Sequence, residues 1–356
     1  MEWQAERAKR SDLSRVSSFF KQQFKGPQRY GRADMFAWKT FENTTQEGFI
    51  NIIKDGDVIA ATTSMVPKKL LLNNKPILAG EIGDTYVATN YRREGLFPIL
   101  GNATRKQAQE EGVQFIYGLP NSLALPGWLK RADFLLIENL NIRSLVFPLS
   151  AKSKFQRLTG WFLAELFDAL YRISTRLYVA SKKSRNTNFN QYSAETITTI
   201  ETIPEDWDNF WARAAENYDF ILDRSATSMK WRYIKNPEKY TFVVIHHQNN
   251  LVGYCVYRNF LVEGGQNITI ADDLFLKGHE YALNLCLNKI FEYSFVTSVR
   301  SLNVWCKNTS PYYNIFRKLG FRDQSEIPVI FHCKGLSDEI SKFSKAHFTI
   351  GDSDNV

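Results

Sequence analysis

The feature that most constrains this chain is an internal duplication, in which one short unit occurs twice. In the first copy, Trp38-Lys39 precedes two apolar runs, GFINII and VIAATTSMV, with the turn sequence Lys-Asp-Gly-Asp between them. In the second copy, Trp231-Arg232 precedes YTFVVI and LVGYCVYR, with a turn at Gln-Asn-Asn. Two apolar runs joined by a short turn that contains Gly or Asn predict a β-hairpin. The chain therefore repeats one unit made of a Trp, a basic residue and a hairpin.

Each copy also ends on the same pattern, which begins with an Asn and closes with a Phe. The first runs from Asn121 to Phe134 and the second from Asn308 to Phe321. A chain of 356 residues is long enough for two domains of ordinary size. We therefore expect two tandem α/β domains, each a mixed sheet with helices on both faces. The expected parts are an N-terminal domain at 1–149, an amphipathic helical linker at 150–195, a C-terminal domain at 196–336 and a polar tail at 337–356.

The linker contains a stretch with the periodicity of an amphipathic helix. Large apolar side chains recur between 158 and 179 at helical spacing, and charged residues occupy other positions. The apolar positions are Leu158, Phe162, Leu166, Leu170, Ile173 and Leu177. The simplest interpretation is that this face packs against one of the two domains. The alternative is peripheral membrane contact through 158–179, because aromatic residues with flanking bases suit the surface of an anionic membrane.

Composition excludes several kinds of site. All five histidines and all four cysteines follow residue 240, so the first half cannot hold a Ser-His-Asp or a Cys-His site. The cysteines have no CxxC spacing, and we expect neither a metal site nor a disulfide framework. The net charge of +8 favours anionic partners such as nucleotides, CoA, tRNA or acidic lipid, and by itself it selects none of them. No segment has the pattern of a secretory signal or a membrane span, so we expect a cytoplasmic protein.

One segment of the first copy has the order strand, turn, helix. Residues 79–89 are predicted to form a strand, and residues 93–111 carry apolar side chains at helical spacing. The turn between them, from Asn90 to Leu96, contains two arginines and Gly95. The first N–H groups of a helix have no partner inside the helix, so such a turn is suited to bind a phosphate group.

This order of elements resembles the GCN5-related N-acetyltransferase (GNAT) family. The residues that match its V-x-P-x-x-[QR]-x-x-G-x-[GA] motif and the Asn that follows are Val87, Tyr91, Arg92, Gly95 and Asn121. Thr89 stands where Pro is usual, and Phe97 where the last Gly or Ala is usual. The resemblance covers residues 34–140 of the first copy and 215–335 of the second. It implies two tandem acyl-CoA N-acyltransferase-like domains that are joined by the helical linker.

The resemblance implies an acetyl-CoA site in the first copy. Its cofactor-binding residues would be Val87, Ala88, Thr89, Arg92, Arg93, Glu94, Gly95, Leu96, Phe97 and Asn121. N–H groups near Val87 and Ala88 would face the thioester, and residues 92–97 would hold the pyrophosphate. Asn121 fits a helix N-cap equally well.

Two carboxylates of the same strand are candidates for the catalytic base. Because the first half has no histidine, Glu81 or Asp84 must take the proton from the attacking amine, and we favour Glu81. The family often protonates the leaving thiolate with a tyrosine of its last helix, but the corresponding positions hold Trp128 and Phe316. Tyr117 is then one candidate for that role, beside Ser122 and solvent.

The second copy has no R-x-x-G string at the corresponding spacing, so we expect it to keep the fold without holding a pyrophosphate. The leading hypothesis is an N-acyltransferase that uses acetyl-CoA or another acyl-CoA. Its acceptor would be a small amine, with an amino sugar of surface polysaccharide as one candidate, and it would need no nucleic acid. Two alternatives remain: a Fem-type transferase that uses aminoacyl-tRNA, and a non-catalytic acyl-CoA-binding protein.

Overall fold

The computed structural model describes residues 2–23, 31–184, 189–197, 203–262, 265–335, 340 and 342–353. Both predicted hairpins are confirmed, and each lies within one of two mixed sheets. The elements of the first half are β1 (Ala5–Arg7), α1 (Leu13–Gln23), α2 (Ala33–Phe36), β2 (Phe49–Asp55), β3 (Val58–Leu72), β4 (Lys75–Val87), α3 (Leu96–Glu110), β5 (Phe115–Gly118), α4 (Leu125–Arg131), β6 (Leu135–Leu136) and β7 (Ile142–Pro148).

The second half begins with a long helix and repeats much of the same order. Its elements are α5 (Lys152–Ser184), β8 (Tyr192–Ile197), α6 (Trp207–Ala215), β9 (Phe220–Leu222), α7 (Ala226–Met229), β10 (Thr241–His247), β11 (Asn250–Val262), β12 (Gly265–Phe275), α8 (Leu283–Val296), β13 (Ser301–Lys307), α9 (Pro311–Leu319), β14 (Arg322–Ile327), β15 (Ile330–Cys333) and β16 (Ala346–His347). The predicted fold class, a mixed α/β fold with two tandem acyltransferase-like units, is confirmed.

The two sheets exchange strands between the halves. The first sheet has the order β1-β2-β3-β4-β5-β15-β6, and β9 pairs with β3 and β16. The second has the order β14-β7-β13-β12-β11-β10-β8. Thus β7, from the first half, lies between two strands of the second, and β15, from the second half, lies between β5 and β6. The sheets therefore cross the boundaries that the sequence suggested at 149 and 336.

A symmetric pair of tryptophans joins the halves. Trp38 and Trp231 each lie in a π-helical turn that directly follows α2 or α7. Their rings stack with centroids 5.0 Å apart. The Nε1–H of Trp38 donates to the carbonyl of Trp231 at 2.9 Å, and the Nε1–H of Trp231 donates to the carbonyl of Trp38 at 3.2 Å. The reciprocal bonds place a pseudo-twofold axis between the two copies, as a duplication requires.

The C-terminal segment is not the polar tail that the sequence suggested. Phe343, Ala346, Phe348 and Ile350 are all buried. Apolar residues recur every two or three positions over only a short segment, and so short a pattern does not predict that the segment is buried. The burial of these side chains fixes residues 343–353 between the two sheets, where they reach the candidate site.

The long helix α5 confirms the predicted linker helix, but its orientation differs from the simplest interpretation. The described members of the predicted apolar face point to solvent, and α5 packs on the second half through smaller and more polar side chains. The side chain of Phe162 lies outside the described residues. Among the residues that the structure describes, no helix combines the length and apolar character needed to cross a membrane.

Candidate acyl-CoA site

The candidate site lies where β4 and β5 separate. The two strands pair in parallel at only three positions, the last of which joins Glu81 to Tyr117. Beyond this point β4 continues to Val87 beside β3, and its other edge faces a cavity of about 330 Å³. The cavity is lined by residues 81–86 of β4, 118–121 after β5, Ala124 and Trp128 of α4, Phe20 of α1 and Ile330 of β15. A strand exchanged from the second half thus completes its wall.

A β-bulge in β4 turns backbone groups towards this cavity. Asp84 has a φ of +47°, and the register with β3 shifts between Thr62 and Ser64. The hydroxyl groups of Thr62 and Thr63 donate to the carbonyls of Asp84 and Gly83, at 2.7 and 3.1 Å. Both carbonyls are therefore directed towards β3. Because a trans peptide directs its N–H opposite to its C=O, the N–H groups that follow, at positions 84 and 85, are directed towards the cavity.

Glu81 and Asp84, the two predicted candidates for the base, both line the cavity. Glu81 forms a buried ion pair with Lys68 of β3. Asp84 is paired with Lys39, and it also accepts a hydrogen bond from the Ser64 hydroxyl at 2.6 Å. Each carboxylate is thus paired with a lysine at the cavity wall. Sequence reasoning missed both lysines, although Lys39 directly follows Trp38.

Tyr117, the third predicted catalytic residue, is placed differently. It is buried and is absent from the cavity wall. Its hydroxyl donates to the backbone carbonyl of Asp352, and Lys68 donates to the same carbonyl at 2.8 Å. The side chain of Tyr117 therefore helps to anchor the C-terminal segment beside the site.

The Asp352 side chain fastens this segment to the second half. Its carboxylate accepts a hydrogen bond from Arg224 at 2.7 Å and lies 3.3 Å from the guanidinium of Arg232. Burial alone would raise the pKa of Asp352, but the two guanidinium groups hold it below its usual value. A continuous set of buried charges thus runs from Glu81 at the cavity to the second half.

The turn that follows β4 has the open geometry that a phosphate site needs. Gly95 precedes the first residue of α3 with a φ of +81°, and a β carbon built on it meets no atom within 4 Å. Among the described residues, none accepts a hydrogen bond from the backbone N–H of Gly95, Leu96 or Phe97. Pro98 follows and has no N–H to contribute. Arg93 and Glu94 of this turn are exposed.

Two contacts connect this turn to the cavity. Arg92 donates to the hydroxyl of Tyr86 at 3.3 Å, and Tyr86 lines the cavity. Phe97 packs on Trp128 with ring centroids 4.9 Å apart, and Trp128 lines the cavity on the α4 side. The aromatic side chain at position 97 therefore fills space between α3 and α4, where the family has Gly or Ala.

Tyr91 anchors the turn from its other side. Its hydroxyl donates to Asp55 at the end of β2 at 3.0 Å. This hydrogen bond to a carboxylate is the largest cause of a raised pKa for the Tyr91 phenol, so the phenol stays protonated.

The N–H groups near Val87 and Ala88, which were predicted to face the thioester, do not face the cavity. Val87 ends β4 opposite Ala61, and the N–H of Ala88 donates to the carbonyl of Ala60 at 2.9 Å. Thr89 is exposed, and its N–H faces Gln23 at 3.4 Å. The N–H groups directed towards the cavity are therefore those of the bulge, a few residues earlier, because β4 stays paired with β3 as far as Val87.

Asn121 caps the turn before α4 and lies at the cavity. Its Oδ1 accepts hydrogen bonds from the N–H groups of Leu123 and Ala124, at 3.1 and 2.9 Å, and so caps the turn that leads into α4. Asn121 is also part of the cavity wall. The cap thus fixes one side of the cavity entrance.

The corresponding place in the second half is closed by the protein itself. The N–H of Phe275, at the end of β12, donates to the Tyr312 hydroxyl at 3.1 Å. Before α8, the N–H of Gly278 donates to Glu280 at 2.9 Å, and the N–H of Leu283 bonds back to the preceding 3₁₀ turn. His347 of the C-terminal segment packs against the Tyr312 ring. The helix start, which is open in the first half, is hydrogen-bonded here.

Comparisons with known proteins agree with this geometry. Residues 4–133 match the family model described as an acetyltransferase (GNAT) domain. No curated protein matches the sequence significantly. A GCN5-related N-acetyltransferase from Anabaena variabilis superposes with a TM-score of 0.63 at 12% identity, over 93% of this chain and 73% of that one.

Two further solved structures are similar to this chain over most of its length. A tandem GNAT protein from the clavulanic acid biosynthesis pathway gives a TM-score of 0.60 at 11% identity, over 95% of this chain and 100% of that one. The N-myristoyltransferase of Saccharomyces cerevisiae with bound myristoyl-CoA gives a TM-score of 0.59 at 10% identity, over 92% of this chain and 82% of that one. At such identities the likeness shows the fold. Residues 4–133 thus match the model of an acetyltransferase (GNAT) domain, and the chain as a whole has the fold of a tandem GNAT protein.

Proposed function

We propose that this protein is an acyl-CoA-dependent N-acyltransferase that binds acetyl-CoA in its first half and transfers the acetyl group to a small amine. The observation that carries the proposal is the combination of the open helix start at Gly95 with the bulge that directs two N–H groups into the adjacent cavity. The first suits a pyrophosphate and the second a thioester carbonyl. An amino sugar belongs to the class of acceptors that we propose to test.

The N–H groups of Gly95, Leu96 and Phe97 would hold the pyrophosphate, with charge added by Arg92 and Arg93. Anions are stabilised at a helix N-terminus because unpaired N–H groups point outward there. A side chain at position 95 would occupy this space, which explains why the open side of the turn is formed by glycine. Bound acyl-CoA would supply the activated acyl group.

The N–H groups at positions 84 and 85 would stabilise the negative charge that grows on the acyl oxygen during attack. Such groups are effective because they are already oriented, and the threonine hydroxyls on the carbonyls of Gly83 and Asp84 fix that orientation. The acceptor amine must lose a proton as it attacks. We assign its removal to Glu81, with Lys68 as a positioning residue that holds the carboxylate at the cavity wall. As the C–S bond breaks, CoA would leave as the thiolate and take a proton from solvent, since Tyr117 does not line the cavity.

The second half would bind no acyl-CoA in this mechanism. Its helix start and strand end are already hydrogen-bonded, and its C-terminal segment occupies the adjoining space. Its contribution would be to close the wall of the first cavity through Ile330 and to fix the Glu81–Lys68 pair through Asp352.

The substitution Gly95→Trp tests the cofactor site. We expect the Kd for acetyl-CoA and for desulfo-CoA, measured by titration calorimetry, to rise about tenfold or more, since ~1.4 kcal/mol of lost binding is tenfold. Gly278→Trp is the matched control, because Gly278 has a φ of +88° and equally open surroundings but lies in the second half. Unchanged affinity in Gly95→Trp, or equal losses in both variants, would contradict the proposal. Salt-dependent tRNA binding without CoA binding would favour the aminoacyl-tRNA alternative.

The substitution Glu81→Gln tests the base. We expect kcat with a reactive amine to fall roughly a hundredfold while the Kd for acetyl-CoA stays the same. Asp84→Asn is the matched control at the same cavity wall, and it should lower kcat less than Glu81→Gln does. Glu81→Asp keeps the charge beside Lys68 and should retain a measurable rate, which separates a chemical role from a loss of folding. The assignment would be wrong if Asp84→Asn abolished turnover and Glu81→Gln did not.

A further inference from the structure

The outer face of α5 is apolar over most of its length. Its large aliphatic side chains between residues 158 and 177 are 54–71% exposed at five positions, namely Leu158, Leu166, Leu170, Ile173 and Leu177. The last four follow each other at spacings of four, three and four residues, so they lie on one side of the helix. At 1.5 Å per residue, the stripe from Leu158 to Leu177 is about 28 Å long.

The side of α5 that faces the protein is the more polar one. Ala164, Asp168, Thr175 and Val179 are buried there. The Asp168 carboxylate accepts hydrogen bonds from the Ser150 hydroxyl at 2.8 Å and from the N–H of Ala151 at 2.7 Å. Burial alone would raise the pKa of Asp168, but these bonds and the ion pair with Arg172 hold it below its usual value. These fixed contacts orient the helix, so the outward direction of the leucines is set by the packing.

The helix also carries much of the positive charge of the protein. Residues 152–184 contain seven lysines and arginines and two acids, in a chain whose net charge is +8. Both acids are neutralised locally, because Glu165 pairs with Lys152 and Asp168 pairs with Arg172. Lys154, Arg157 and Arg176 remain exposed along the helix.

We propose that α5 docks the protein on the surface of an anionic lipid bilayer, with the stripe of Leu158, Leu166, Leu170, Ile173 and Leu177 inserted at the level of the headgroups. An apolar helix face with bases beside it binds such a surface through buried apolar area together with attraction to anionic lipid. A second copy of the chain is disfavoured as the occupant, because the same surplus of positive charge would meet itself across a twofold interface. The inference is independent of the proposed enzymatic activity.

Co-sedimentation with lipid vesicles tests the proposal on the full-length protein. We expect binding to vesicles of phosphatidylcholine mixed with phosphatidylglycerol, and much weaker binding to phosphatidylcholine alone. Leu170→Glu combined with Ile173→Glu should lower the bound fraction about tenfold or more, since each removes buried apolar area and adds a repelled charge. Arg157→Gln and Arg176→Gln should each weaken binding about fivefold. Added salt should weaken binding of the wild type.

Leu261→Glu is the matched control, because Leu261 is 80% exposed but lies on β11. It should bind vesicles as the wild type does. The variants on α5 replace exposed side chains, so thermal unfolding should show an unchanged Tm. The proposal is overturned if the wild type does not bind anionic vesicles, or if the Leu170/Ile173 variant binds them equally well. It is also overturned if analytical ultracentrifugation shows a dimer that this variant dissociates, because the second copy would then be the occupant.

Discussion

At the scale of single residues, the buried charges beside the C-terminal segment make stability depend on pH. Asp273 follows the ion-paired Asp272 on β12, and neither of its carboxylate oxygens has a hydrogen-bond partner among the described residues. Burial, reinforced by the charge of Asp272, raises the pKa of Asp273 to about 8. Nearby, burial and the charge of Arg224 lower the pKa of His347 to about 3.

These two groups act in opposite directions. Between pH 3.8 and about 8, the folded state keeps a proton on Asp273 that the unfolded chain loses, so stability falls as pH rises. Between about 3 and 6.5, the unfolded chain protonates His347 and the folded state does not, so stability rises with pH. The two effects oppose each other up to pH 6.5, and only the effect of Asp273 remains above it.

We therefore expect the free energy of unfolding to fall between pH 6.5 and 8, by about 1.4 kcal/mol per pH unit from Asp273 alone. Asp273→Asn mimics the protonated side chain and should remove this fall. Urea unfolding of both proteins at the two pH values measures the difference. Parallel pH dependence in the variant and the wild type would show that Asp273 ionises normally in the folded state.

Residue positions in the site were only partly predictable from sequence. Glu81 and Asp84 could be placed together because two residues that are three positions apart on one strand are always close in space. The N–H groups directed at the cavity could not be located, because the bulge depends on Thr62 and Thr63 of a neighbouring strand. The roles of Lys68 and Lys39 were missed for a related reason, since each lysine pairs with a carboxylate on a different element, the strand β4.

At the scale of elements, the turns after α2 and α7 form the most direct link between the copies. Trp38→Ala and Trp231→Ala should each cost about 3–5 kcal/mol of unfolding free energy, because each leaves a cavity and an unpaired carbonyl. The double variant should cost less than the sum, by about 0.5–3 kcal/mol, since either single change already removes the stacking of the two rings. Denaturant unfolding of the four proteins measures this coupling.

A control cycle uses Trp207, whose Nε1–H donates to the carbonyl of Arg224 within the second half. Trp38→Ala and Trp207→Ala share no contact, and their effects should add within about 0.5 kcal/mol. Additive effects in the Trp38/Trp231 cycle would mean that the two rings stabilise their own halves separately.

The sequence predicted the existence of elements better than their orientation. The hairpins followed from local turns, and α5 followed from its periodicity. The face of α5 that meets the protein did not follow, because a hydrophobic stripe normally packs inward. Here Asp168 and its partners fix the opposite face, and a polar contact of that kind is not visible in a hydrophobicity pattern.

At the scale of the whole molecule, duplication was evident from the sequence and the exchange of strands was not. A repeated Trp-hairpin unit predicts two similar folds, and the GNAT match at 4–133 and the doubled sheets agree. Which half a strand such as β7 joins is decided by pairing between distant residues. The short apolar run at 330–333 would have the same sequence pattern whether the strand paired with its own half or with the other half.

That exchange has a consequence for how the protein is made. β5 is complete soon after residue 118, yet its neighbour β15 leaves the ribosome about 200 residues later. The nascent first half must therefore wait with an uncovered strand edge, which is a hazard for association with other chains. A chaperone that shields that edge during translation would serve this architecture better than one that acts only on the finished chain.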